Sequence, residues 1–267
     1  MLRNILSCLV ILLMVSFSGC RPKEDNPPTT GKVIILMYHR IVKGETDNLY
    51  ERSEDDFDSD LKYLIMNDIK IISFDDLYEI VLSGKMPAQN CAIITFDDGD
   101  QSWYSLAHPL LMKYNMKATF FLWVYMIGSN SFLTWTEIEH MGNYMLDGGV
   151  RPFTFGSHTY SHPFLLGRKS GFTTDAEYNS FLNYELGVSK SIIEEHLPGQ
   201  VDILALPYGD GYGDQTIMTA ADRNGYRFIR TSKYGVIDNT GINMLMLPSL
   251  PILNDTPSET IGDWLGL

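Results

Sequence analysis

The chain has 267 residues, 45% of them hydrophobic, and a formal net charge of −13. That length allows one sizeable domain with its own core, and no shift in composition marks a second. The acidic balance disfavours nucleic acid and anionic polymers as partners and tolerates a neutral or cationic polymer better.

The first segment reads as a leader. Arg3 supplies a small positive region, Ile5 to Val15 is nearly all apolar, and Phe17-Ser18-Gly19 places small residues directly before Cys20. This is the pattern of a bacterial lipoprotein signal peptide over residues 1–19, cleaved before Cys20, whose sulfur takes the lipid. The apolar stretch is too short to span a membrane. The expectation is an exported lipoprotein anchored in the cell envelope through Cys20, the alternative being an ordinary secretory signal with an incidental cysteine.

Residues 20–31 follow as a flexible tether, with three prolines, four charges and no large apolar residue between Arg21 and Gly31. Cys8 leaves with the leader and Cys20 carries lipid, so Cys91 has no partner for an intrachain disulfide.

Residues 32–267 form the domain. Val33 to Met37 is an apolar run of strand length. Glu54 to Met66 sets Phe57, Leu61, Leu64 and Ile65 on one helical face, with Ser53 as N-cap. Ile69 to Ile72 is a second strand, and Ser73 opens a short helix that stops at Gly84. Ala92 to Phe96 is a third strand, followed by a helical stretch from Trp103 to Lys113 that Pro109 kinks or restarts.

Lys117 to Leu122 is a fourth strand, and Thr134-Trp135-Thr136-Glu137 has the spacing of a capping box opening a helix to about Leu146. Phe153 to Phe155 is a fifth strand, and a long helix lies within Asp175 to His196. Val201 to Leu206 and Tyr226 to Ile229 are further strands, separated by a helix over Asp214 to Arg223. The alternation of apolar strands with helices predicts an α/β fold, a distorted or incomplete (β/α) barrel of about seven mainly parallel strands. In such a fold the chemistry gathers at the C-terminal ends of the strands.

Two strings carry chemistry at such ends. Thr95-Phe96-Asp97-Asp98-Gly99 puts adjacent carboxylates at the end of the third strand, where the glycine lets both approach one centre. Ser157-His158-Thr159-Tyr160-Ser161-His162 puts two imidazoles at i and i+4, converging on one side of a helical turn. Together they offer one oxygen and two nitrogen ligands to a divalent metal and leave one carboxylate spare. Read apart, the acids are a helix cap and the histidines a surface pair. A third string, Ala205-Leu206-Pro207-Tyr208-Gly209-Asp210, makes a turn that could aim the Tyr208 N–H at an oxyanion.

In this order the three strings resemble the polysaccharide deacetylase family, which carries the NodB-homology domain, a distorted (β/α) barrel. The likeness runs from about Val33 to Leu250. Ile35-Leu36-Met37-Tyr38-His39 resembles the subgroup that deacetylates poly-N-acetylglucosamine. The resemblance implies that Asp97 is the general base and that Asp98, His158 and His162 bind the metal, usually zinc. It also implies that Tyr208 contributes its N–H to the oxyanion and its ring to the substrate groove, the partner being an acetylated polysaccharide.

Two departures matter. The family arginine that orients the base stands two residues before the proline, where this chain has Ala205; Arg40, Arg151 and Arg230 remain as substitutes. The family's C-terminal Leu-x-His is absent, since no histidine follows His196. His39, at the end of the first strand, is the expected general acid in its place. Trp135 is a candidate for stacking on a sugar, against the plainer reading of a core staple. The expected reaction is metal-assisted N-deacetylation of N-acetylglucosamine units. The alternatives are an O-acetyl esterase of xylan type, a glycan-binding lipoprotein that has lost turnover, and a purely structural metal.

Overall fold

The computed structural model describes residues 30–267; the leader, Cys20 and the tether up to residue 29 lie outside the described residues. The described residues form ten strands: β1 Val33–Tyr38, β2 Arg40–Val42, β3 Glu51–Ser53, β4 Lys70–Ile71, β5 Cys91–Asp98, β6 Ala118–Leu122, β7 Phe153–Ser157, β8 Ile203–Ala205, β9 Phe228–Arg230 and β10 Leu250–Pro251. The main sheet runs β10-β1-β5-β6-β7-β8-β9, with β4 beside β5, while β2 and β3 pair apart. Its ladders are parallel throughout. The path therefore has seven parallel strands in a curled, incomplete barrel, as the sequence pattern predicts.

The seam between β9 and β10 is closed by irregular chain. Leu247 bridges to Arg230 of β9, and Leu250 pairs with Leu36 of β1. β4 is reduced to a two-residue edge piece, and β2, β3 and β10 are too short to announce themselves as apolar runs.

Among the described residues eight α-helices cover the outside: α1 Glu54–Met66, α2 Phe74–Ser83, α3 His108–Lys113, α4 Trp135–Gly142, α5 Asp175–Asn183, α6 Ser189–His196, α7 Gln215–Arg223 and α8 Glu259–Leu265. Local chemistry sets their starts. Ser53 accepts from the Asp56 N–H, and Ser73 with Asp76 and Thr134 with Glu137 form reciprocal capping boxes. The expected helix over Trp103–Lys113 begins as a π turn, Trp103–Ala107, and becomes α at His108. Pro109 has no N–H to give and its ring would crowd the carbonyl four residues back, so a wider turn there relieves the clash. A second π turn, Tyr184–Val188, joins α5 to α6 into one bulged helix.

Strand alternation sorts the core into two layers. Ile34, Leu36, Ile94 and Phe96 face outward onto α1, where they meet Phe57, Leu61 and Leu64. Val33, Ile35, Cys91, Ile93 and Phe228 face inward, and Phe74 and Leu77 of α2 plug that end of the barrel. Cys91 is a free, buried thiol. Continuing the inward rows to the opposite end of the strands brings up Met37, Asp97, Ala205 and Arg230. Among the described residues, no helix is long and apolar enough to cross a membrane.

Candidate active site

The C-terminal ends of the strands open into a cavity of about 510 Å³ whose lining includes His39, Asp97, Asp98, His158, His162 and Tyr208. Six residues expected from sequence thus meet in one place.

Asp97 and Asp98 share it because the strand breaks at Asp98. Regular alternation would send their side chains to opposite faces. Asp98 instead takes φ 90° and Gly99 φ 101°, so the chain leaves the pleat one residue before the glycine. A non-glycine residue at such a φ is strained, and strain of this kind collects where geometry serves a function.

The two histidines converge by a different route from the one expected. His158 and His162 do not sit on a helical turn: the segment after β7 is irregular, with Thr159 at φ 66° and His162 at φ 58°. The i, i+4 spacing is right and the helix is not.

The donor atoms lie close together. The two Nε2 atoms are 3.1 Å apart, and Asp98 Oδ1 lies 3.4 Å from one and 3.3 Å from the other. Tetrahedral ligands at ~2.0–2.1 Å from zinc stand about 3.3 Å from one another, so the spacing suits such an ion. The tautomers suit it too. His158 Nδ1 is 2.9 Å from the Ala205 carbonyl, which accepts a proton and has none to give, so Nε2 is left as a bare lone pair. His162 Nδ1 lies 3.1 Å from the Tyr208 hydroxyl. Burial alone would raise the Asp98 carboxyl; the imidazoles of His158 and His162 outweigh it and hold it well below the usual carboxylate range. Asp98, His158 and His162 therefore form a candidate site for a divalent metal.

Asp97 is buried and differently engaged. Its Oδ2 accepts from Nη2 of Arg230, while Oδ1 has no partner among the described residues. Arg230 is wholly buried, its guanidinium lying 5.3 Å from the Phe121 ring centre, with Nη1 2.6 Å from Met37 Sδ. Arg230 is the register partner of Ala205 on the next strand. The guanidinium missing from position 205 is thus supplied from its lateral neighbour. Arg40 pairs instead with Glu51 at 3.0 Å, and Arg151 is exposed beyond the other end of β7.

His39 lies just past β1 against Tyr50, with ring centres 4.8 Å apart and Nδ1 buried without a partner among the described residues. Burial pushes its pKa down, opposed by the charges of Asp97 and Asp98. Tyr208 stands at φ 58° in the turn Pro207–Gly209. Gly209 allows the turn to lie close to the chain just past β9, since a Cβ there would come within 2.9 Å of Ser232 Cβ. No described backbone acceptor takes the Tyr208 N–H, and its ring stacks on exposed Phe164 at 4.0 Å.

Trp135 is not brought into the site. It opens α4 and stacks flat on His196 at 4.0 Å, away from the cavity lining. The tryptophan that does line the cavity is Trp123, stacked on His162 at 4.6 Å. Its signal in the sequence is its position: it directly follows the apolar run that ends at Leu122. Tyr50 and Tyr234 also line the cavity but come from loops with no such marker.

A parallel barrel of this kind, with two carboxylates and two imidazoles at one rim, has the residues of a metal-assisted hydrolase around a candidate metal site. A family model for polysaccharide deacetylase matches residues 84–229, and the chain belongs to that family. It is 26% identical over 98% of its length to a poly-beta-1,6-N-acetyl-D-glucosamine N-deacetylase of Staphylococcus epidermidis, covering 96% of that protein. Its fold matches the Streptococcus pyogenes deacetylase PplD in complex with acetate, with TM-score 0.74 and 24% identity over 89% of this chain and 99% of that one. It also matches a de-N-acetylase from Aggregatibacter actinomycetemcomitans, with TM-score 0.75 and 19% identity over 88% of this chain and 100% of that one. The protein is a polysaccharide deacetylase.

Proposed function

We propose that this deacetylase removes N-acetyl groups from N-acetylglucosamine units of an envelope or extracellular polymer, using zinc held by Asp98, His158 and His162. The observation that carries the reading is the pairing of roles at one rim: a buried carboxylate with a free oxygen, Asp97, and an imidazole with a free nitrogen, His39. An amide releases an amine, which must be protonated as it leaves; an ester does not need this. The near-full-length likeness to a poly-N-acetylglucosamine enzyme points the same way.

A divalent cation held by Asp98, His158 and His162 would supply Lewis acidity to the reaction. Arg230 holds Asp97 through Oδ2 and leaves Oδ1 to take the proton of the attacking water. The Tyr208 N–H donates to the oxyanion of the tetrahedral intermediate. His39 gives a proton to the departing nitrogen, so amide plus water becomes amine plus acetate. Tyr50, Tyr208 and Tyr234 provide aromatic faces for the sugar rings.

The test is acetate release from β-1,6-linked N-acetylglucosamine oligomers beside acetylated xylan, with Asp97→Asn as control. Release from the amino-sugar oligomer, abolished in the control, supports the reading; release from xylan alone overturns it in favour of an esterase. Anchoring through Cys20 is part of the same proposal. Cys20→Ala should move the protein from the membrane to the soluble fraction.

A further inference from the structure

The loop that carries His162 is held in an unfavourable shape. Thr159 is β-branched and at φ 66°, where such residues rarely sit, and His162 is at φ 58°. Something outside the loop must hold it, and the contacts converge on the bulged helix behind.

Glu185 lies in the π turn Tyr184–Val188 and is 3% exposed. Both carboxylate oxygens go to one residue: Oε2 accepts the Ser161 N–H at 2.8 Å and Oε1 accepts the Ser161 hydroxyl at 2.6 Å. Its backbone carbonyl accepts the Tyr160 N–H at 3.0 Å. A π turn loosens the helical ladder and frees carbonyls for outside partners. Four residues on, about one turn, Ser189 Oγ lies 2.8 Å from Ser157 Oγ, both fully buried, and Ser157 Oγ in turn accepts the Thr159 N–H at 3.0 Å.

Among the described residues no cationic side chain pairs with the Glu185 carboxylate. Burying a carboxylate without a counter-charge costs stability, and an apolar side chain would fill the space more cheaply. The carboxylate is therefore placed for the loop it grips.

We infer that Glu185 is a positioning residue for the metal centre: through Ser161 it sets the loop that aims His162 Nε2 at Asp98 and His158. The inference rests on the reading of that triad as a metal site. What matters is reach and hydrogen bonding, not charge. Glutamine keeps both contacts, its carbonyl accepting from the Ser161 N–H and its amide donating to the Ser161 hydroxyl. Aspartate keeps the charge but falls one methylene short.

The test compares wild type, Glu185→Gln and Glu185→Asp by titration of the chelator-stripped full chain with Zn²⁺, and with Co²⁺ followed by its visible absorption. The melting temperature of each metal-free protein is measured in parallel. Partners behind metal ligands typically tune affinity by about 10–100-fold. Glu185→Asp is expected to lose about that much, with a changed Co²⁺ spectrum, while Glu185→Gln stays within roughly threefold of wild type. A merely structural role would shift the melting temperatures and leave affinity alone, which overturns the inference. So would equal losses in both variants, which would make charge the operative property. Should Glu185→Asp fail to fold, a Glu185→Gln protein that folds but binds metal poorly still overturns it. Wild-type protein that takes up neither ion removes the metal site itself, a failure distinct from a metal-binding wild type with an unaffected Glu185→Asp.

Discussion

Arg230 and Asp97 stand on strands that do not touch, β9 and β5, yet the guanidinium of one closes on the carboxylate of the other inside the barrel. Both are buried, so neither charge has water to fall back on. Breaking such a pair from one side costs about 3–5 kcal/mol, because the remaining charge stays uncompensated.

Arg230→Ala should therefore lower both stability and turnover, the latter by at least about 100-fold through loss of base orientation. Affinity for metal should hold, since Arg230 touches none of the three donors. Because position 205 is the lateral neighbour of 230, Ala205→Arg combined with Arg230→Ala should recover about tenfold or more of the lost kcat relative to Arg230→Ala alone. Steady-state kinetics beside a metal titration checks both.

The base and the ligands separate cleanly by substitution. Asp97→Asn should leave metal uptake intact and cut kcat by about 1,000-fold or more, whereas His158→Ala or Asp98→Ala should lose metal and activity together. Stripping wild type with a chelator should abolish turnover, and returning Zn²⁺ should restore it. Elemental analysis paired with acetate release reads each case.

His39 is distinguished by leaving group. His39→Ala should depress hydrolysis of the N-acetyl oligomer by about 100-fold or more while sparing a phenyl acetate ester within about tenfold, since phenolate leaves without a proton. Equal losses on both substrates would remove the acid role.

His108 makes a prediction about stability instead of catalysis. It is buried between Phe153 and Tyr104 with Nε2 unpartnered, and burial, with a smaller contribution from His140, lowers its pKa to about 4. Unfolded, the imidazole takes a proton below about pH 6.5. Stability is therefore complete above that pH, declines as pH falls toward 4, and levels below it, a loss of at most roughly 3 kcal/mol. In His108→Phe the decline over that window should be shallower, by no more than this amount, as measured by urea unfolding at pH 7, 5.5 and 4.5.

Much of this was readable because it is local. Ser53, Ser73 and Thr134 cap helices with groups three residues away, and the apolar run Ala92–Phe96 is the heart of β5. The rim was readable for a related reason: Asp97, His39 and His158 all come at or just past the end of an apolar run. What escaped depends on distant register. Nothing near Arg230 distinguishes it from Arg40 or Arg151; only the seating of β9 opposite β5 does. The path of the histidine loop escaped because Thr159 takes a left-handed φ with no glycine to announce it. Trp135 misled because a tryptophan at a helix start serves equally to stack on a sugar or, as here, on His196.

The pairing of Leu36 with Leu250 has a consequence for synthesis. Among the described strands, β1 is made first and keeps one raw edge until β10 has been made. Any chain cut short before that point presents the unpaired flank of β1 to its neighbours, an invitation to edge-on aggregation. The sheet closes on this side only once Leu250 and Pro251 have been made, and chains truncated before Leu250 should be found in inclusion bodies.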